Sequence, residues 1–107
     1  MKELKDLIVA TLDERKANDI KVVDFENGNP LVDYFVIADA ASHRQIKALA
    51  DHVVDAIEKA GYKIKTVESE RESSWILIDA YDVVAHIFLT EDRAHYNLEK
   101  LYQDLIK

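Results

Sequence analysis

At 107 residues with 49% hydrophobic side chains, the chain is the length of one domain and carries enough apolar surface for a single core. A formal charge of -7 argues against nucleic-acid phosphates as the main source of affinity and for a basic protein as the easier partner. The lack of cysteine excludes disulfides and thiolate metal sites, no stretch approaches the roughly 20 apolar residues of a membrane span, and MKELKDLIVATLDERK lacks the unbroken apolar run of an export signal, so a cytoplasmic protein is expected.

Leu4, Leu7, Ile8 and Leu12 recur at helical spacing among charges and predict an amphipathic helix over residues 3–16. DIKVVDF (19–25) is rich in β-branched residues and runs into Asn27-Gly28-Asn29-Pro30, a strand followed by a turn. YFVIA (34–38) is almost continuously apolar, as a strand covered on both faces would be. Ser42 with Gln45 three residues on forms a capping box, and Ile46, Leu49, Ala50, Val53 and Ile57 make the buried stripe of a helix over 43–60 that ends at Gly61. Strands are expected over 62–67, 75–80 and 83–89, the last two joined by so few residues that an antiparallel hairpin is the natural connection. Leu98, Leu101, Leu105 and Ile106 return to helical spacing and predict a final helix over 91–106. The order α-β-β-α-β-β-β-α gives an α/β (α+β) fold, a mixed sheet of about five strands flanked by helices, in one domain spanning 1–107.

Chemistry-bearing residues are sparse. There is no Gly-x-Ser-x-Gly elbow and no glycine-rich phosphate loop, since the only glycines are Gly28 in a turn and Gly61 at a helix end. His43 and His52 lie two and a half helical turns apart and cannot share an ion; Glu91 and His95 lack a third ligand. Asp24, Glu26, Asp79 and Asp82 are the carboxylates that a magnesium-dependent enzyme would use. Trp75, Leu77 and Asp79 share one face of their strand, and Val84, His86 and Phe88 one face of the next. Glu68, Glu70, Glu72, Asp79 and Asp82 stand against the single base Arg71, leaving this region either a solvated edge or an interaction surface.

Three stretches together resemble the ribosomal silencing factor, or Iojap-type, family: Asp33-Tyr34-Phe35-Val36-Ile37-Ala38 with Ser42-His43-Arg44-Gln45; Trp75-x-x-x-Asp79 with Asp82-Val83-Val84-x-His86-x-Phe88; and Arg93-x-x-Tyr96-x-Leu98-Glu99-x-Leu101. The chain departs from that pattern at Tyr81, where glycine is expected, at His95 and at Tyr102. The resemblance implies a nucleotidyltransferase-like fold without enzymatic activity or cofactor. It also implies a factor that binds the large ribosomal subunit through ribosomal protein L-fourteen, blocks joining of the small subunit and represses translation when nutrients are scarce. Trp75, Asp79, Tyr81 and Asp82 with Glu70 would form the partner-binding surface, with His86, Arg93 and Tyr96 in second place, since each could instead support the sheet or dock the last helix. Neither a membrane nor a specific nucleic-acid sequence is an expected partner, and a free homodimer fits the resemblance. The alternatives are a magnesium-dependent nucleotidyltransferase-like enzyme using the four carboxylates above, and a homodimeric regulatory module pairing through the Trp75 hairpin.

Overall fold

The computed structural model describes residues 2–25, 28–69 and 74–106. Helix α1 (Lys2–Glu14) buries Leu4, Ile8 and Leu12, one residue per turn on a single side. Strands β1 (Asn18–Asp24) and β2 (Tyr34–Ala40) follow, then α2 (His43–Lys59), β3 (Thr66–Ser69), β4 (Trp75–Asp79) and β5 (Val83–Leu89). The strand order is β1-β2-β5-β4-β3, with β2 and β5 parallel and every other neighbouring pair antiparallel. Every residue of β5 is buried because this strand has a neighbour on each side and cover on both faces.

The α2 boundaries follow from local chemistry. The Ser42 hydroxyl accepts the Gln45 amide at 3.2 Å and donates back to Gln45 Oε1 at 3.2 Å, so the cap closes through side chain to side chain. At the other end Gly61 takes φ +89°, with its own amide bonded to Glu58 O and the next amide, from Tyr62, bonded to Ile57 O. That paired arrangement satisfies two terminal carbonyls and turns the chain.

Two layers of core lie on opposite faces of the sheet. Under α1 and α2 the cluster is aliphatic, including Val36, Ala38, Ile76, Ile78, Ala85 and Ile87 with Ile46, Val53 and Ile57. Full burial of one such side chain contributes about 1.5–3 kcal/mol. The other face carries Phe35, Trp75, Leu77, Val84 and Phe88, covered in part by Tyr96, Leu98, Tyr102, Leu105 and Ile106 from the C-terminal segment. Ile106 also bridges to Val23, so the outer edge of β1 is occupied.

Two expectations are corrected. The strand expected over 62–67 begins only at Thr66, because Tyr62 and Ile64 turn into the α1–α2 core and pairing with β4 starts at the Thr66–Asp79 register. The single helix expected over 91–106 is three pieces, α3 (Thr90–Tyr96), α4 (Leu98–Leu101) and a 3-10 turn at Gln103–Leu105. Asn97 breaks it by adopting φ 49°, a left-handed conformation that asparagine tolerates better than most residues. Among the described residues, no helix is long and apolar enough to cross a membrane.

Candidate functional site: an aromatic sheet face with an acidic rim

Trp75 stands at the start of β4, half-buried, and its surroundings fix it from behind. The indole Nε1–H donates to His86 Nδ1 at 3.2 Å, the ring stacks on Phe88 with centroids 5.1 Å apart, and Tyr96 packs at 4.8 Å. The Tyr96 hydroxyl lies 3.4 Å from that of Ser74. The only polar atom of the indole is thus turned inward, and what faces outward is hydrocarbon. Leu77 and Trp75, with Glu68 and Ser69 of β3, line a shallow cavity of about 160 Å³.

His86 is buried beneath this residue, 4% exposed. Because its Nδ1 accepts from Trp75, the imidazole is neutral with its proton on Nε2, which has no hydrogen-bond partner among the described residues. Burial drives its pKa down to about 4, so the ring stays neutral at physiological pH. The expected partner-binding His86 therefore lies under the surface and supports Trp75, with no face of its own to offer.

Arg93, also expected at the surface, is 6% exposed. Its Nη1 donates to Asp39 Oδ2 at 2.7 Å and its Nε to Glu99 Oε1 at 2.9 Å, while Thr90 Oγ1 donates to Asp39 Oδ1 at 2.6 Å. Burial alone would raise the Asp39 pKa, but the hydrogen bonds from Thr90, Arg93 and Asn18 outweigh it and hold the carboxylate below its usual range. For Arg93, burial is opposed and overcome by Glu99 and Asp39, which keep the guanidinium charged. The cluster pins α3 and α4 to β2. Tyr96 lies one helical turn after Arg93, so the same pin holds Tyr96 against Trp75.

Asp79, Tyr81 and Asp82 are exposed or half-buried at the far end of the same face. Asp79 ends β4, and its Oδ1 accepts the Tyr81 amide at 2.9 Å. Tyr81 is 52% exposed and Asp82 is exposed. With Pro30, Leu31, Val32, Phe35, Lys65 and Val84 these three residues line a groove of about 440 Å³. Pro30, Leu31 and Lys65 were not expected from the sequence: they reach the groove through contacts between distant segments, which no local pattern reports. Glu70 and Glu26 lie outside the described residues.

Of the carboxylates considered for magnesium, Asp79 and Asp82 line one groove, but Asp24 does not join them. Asp24 pairs with Tyr34 and shares its face, toward the α1–α2 side, whereas Asp79 shares the opposite face with Trp75 and Leu77. With β2 and β5 between their strands, they are also three strand spacings apart, about 14 Å. Among the described residues no group of three or more His, Asp or Glu side chains is placed to hold a metal ion.

Comparison with known proteins gives a consistent result. A family model described as "Ribosomal silencing factor during starvation" matches residues 1–107. Ribosomal silencing factor RsfS of Bacillus subtilis is 36% identical over 103 residues, covering 96% of this chain and 87% of that protein. The chloroplastic protein Iojap of Zea mays is 39% identical over 89 residues, covering 83% of this chain and 39% of the maize protein. A crystal structure of a Chromobacterium violaceum protein superposes with a TM-score of 0.89 at 33% identity, covering 95% of this chain and 85% of that one.

Proposed function

The chain belongs to the ribosomal silencing factor family, and from that premise we propose that it binds the large ribosomal subunit and regulates translation by keeping the small subunit away. The surface assigned to this task is the open part of the aromatic face, with Trp75 at one end and Tyr81 at the other. The observation that carries the assignment is the indole held with its polar edge bonded inward to His86 and its apolar side toward solvent. A tryptophan so fixed loses little freedom on binding and is the residue type most often found to dominate an interface.

Asp79 and Asp82 lie at the rim, and the whole chain carries a charge of -7. A basic ribosomal protein is their complement, and ribosomal protein L-fourteen on the intersubunit face is the partner this reading names. Opposite charges speed the encounter, while the buried aromatic supplies most of the residence time. His86, Tyr96 and Arg93 act behind the surface by holding Trp75 and the segment that backs it. Inhibition follows from occupied volume and needs no chemical step, so this reading describes a binding protein acting in the cytoplasm.

The test is sedimentation of the purified protein with separated subunits, followed by addition of the complementary subunit. Binding to the large subunit alone, with loss of joined ribosomes at near-stoichiometric amounts, is the expected result. Inactivation of many ribosomes by one molecule would replace this account with an enzymatic one. A Trp75 surface shielded in the purified protein by a second copy would assign the face to homodimerisation.

A further inference from the structure

The turn between β4 and β5 puts a bulky side chain at a backbone position that favours glycine. Tyr81 has φ +68°, and the Asp82 amide donates back to Ala80 O at 2.9 Å, a hydrogen bond spanning one residue that makes Tyr81 the centre of a γ-turn. This geometry is strained for any residue with a Cβ, and glycine would adopt it freely. A bulky residue kept at positive φ costs stability and persists where the side chain has another use.

The ring borders a groove. Tyr81 forms one wall of the 440 Å³ groove and the segment Pro30–Val32 contributes the other, with Leu31 83% exposed. Both walls are tied together, the Asp82 carbonyl accepting the Asp33 amide at 2.7 Å and the Tyr34 amide at 3.2 Å, and within its own wall Leu31 donates its amide to Asn29 Oδ1 at 2.8 Å. Phe35 and Val84 are apolar lining residues, while Asp79 and Asp82 place two carboxylates in the groove against the single base Lys65. The groove is built before any partner arrives, apolar within and acidic in balance.

Resting on the docking function proposed above, we propose that Tyr81 is a specificity-determining residue of the surface, walling with Leu31 a groove that receives an apolar side chain of the ribosomal protein borne beside a lysine or arginine. The apolar side chain fills the space between the Tyr81 ring and Leu31, and its basic neighbour meets Asp79 or Asp82. Trp75 and this groove are then two separate anchoring points at opposite ends of one strand, which fixes the orientation of the partner as well as its affinity.

Strain and contact predict opposite signs for one substitution, which makes the proposal testable. Wild type, Tyr81→Gly, Tyr81→Phe and Leu31→Ser are each titrated against purified large subunits and unfolded thermally. Tyr81→Gly is expected to unfold no lower than wild type yet to bind about tenfold more weakly, the change that loss of one good interface side chain gives. Leu31→Ser is expected to weaken binding to a similar degree with its melting temperature unchanged, and Tyr81→Phe to retain binding. Wild-type affinity in both Tyr81→Gly and Leu31→Ser overturns the groove while leaving large-subunit docking intact. A loss of binding in Tyr81→Gly matched by a fall in melting temperature also overturns it, by making Tyr81 structural. Absence of binding by the wild type overturns the docking function itself and the groove with it.

Discussion

On one face of the sheet Val36, Ala38, Ile78, Ala85 and Ile87 are aliphatic and closed over by two regular helices; on the other Phe35, Trp75, His86 and Phe88 form an aromatic layer that short helical pieces cover only in part. Both faces belong to the same strands, so strand propensity is not what separates them. The closed face is filled by side chains without polar atoms, which need only to be packed. The partly open face uses rings with polar handles, the Trp75 indole N–H bonded to His86 and the Tyr96 hydroxyl set beside that of Ser74, so that an exposed apolar surface is kept in one orientation. What distinguishes the closed core face from the proposed docking face is therefore the cover and the anchoring behind it.

Substitutions that act on one face alone will sharpen this contrast. The largest effect belongs to the closed face: Ile87→Ala, at a fully buried position, should cost about 4 kcal/mol of stability in chemical denaturation, while the folded fraction keeps its affinity for large subunits. Arg93→Ala should come next, at about 3 kcal/mol, since it leaves the Asp39 carboxylate buried without its cation and frees α3 from the sheet. Unlike Ile87→Ala it should also blunt the near-ultraviolet signal of Trp75, because Tyr96 loses its fixed position behind the indole.

Acid should act mainly through the aromatic face. In the unfolded chain His86 takes up its proton near pH 6.5, whereas in the folded protein it does so only near 4. Between those values the unfolded state binds a proton that the folded state refuses, so stability falls as the pH is lowered through this window, by roughly 3 kcal/mol at most. Above the window this contribution does not change. Below it the depressed pKa of Asp39 adds a further loss as its carboxylate is protonated. His86→Gln, which retains an acceptor and cannot titrate, should flatten the dependence between pH 6.5 and 4 in denaturation curves. The smallest effect is expected at the rim, where Asp82→Lys should weaken large-subunit binding by less than about 1 kcal/mol, mainly in the association rate, and lose that effect at moderate salt.

Much of this architecture is legible along the chain because it is set by short-range periodicity. The period of two grouped Trp75, Leu77 and Asp79 on one face of β4 and Val84, His86 and Phe88 on one face of β5; the register, with Leu77 opposite His86, is what joins the two groups. Ser42, Gln45 and Gly61 mark the limits of α2 through local hydrogen bonds and backbone freedom. A half-buried His86 and a supporting role for Arg93 were open readings of the sequence, but their near-complete burial was not legible, because local spacing tells which face a side chain takes and not what covers that face. The break at Asn97 escaped for a related reason: Leu98, Leu101 and Leu105 keep helical spacing across a residue that has left the helix. The groove at Tyr81 depends on Pro30–Val32 and Lys65 meeting a turn far from them in sequence, and on a backbone conformation that a tyrosine does not advertise.

The central claim is that the outward side of Trp75 docks on the large ribosomal subunit. Its most direct test is an equilibrium titration of Trp75→Ala against purified large subunits, with folding of the variant verified by circular dichroism. The account predicts a folded protein whose binding is weaker by about 2 kcal/mol or more, roughly thirtyfold. A folded Trp75→Ala that binds large subunits with wild-type affinity would contradict it.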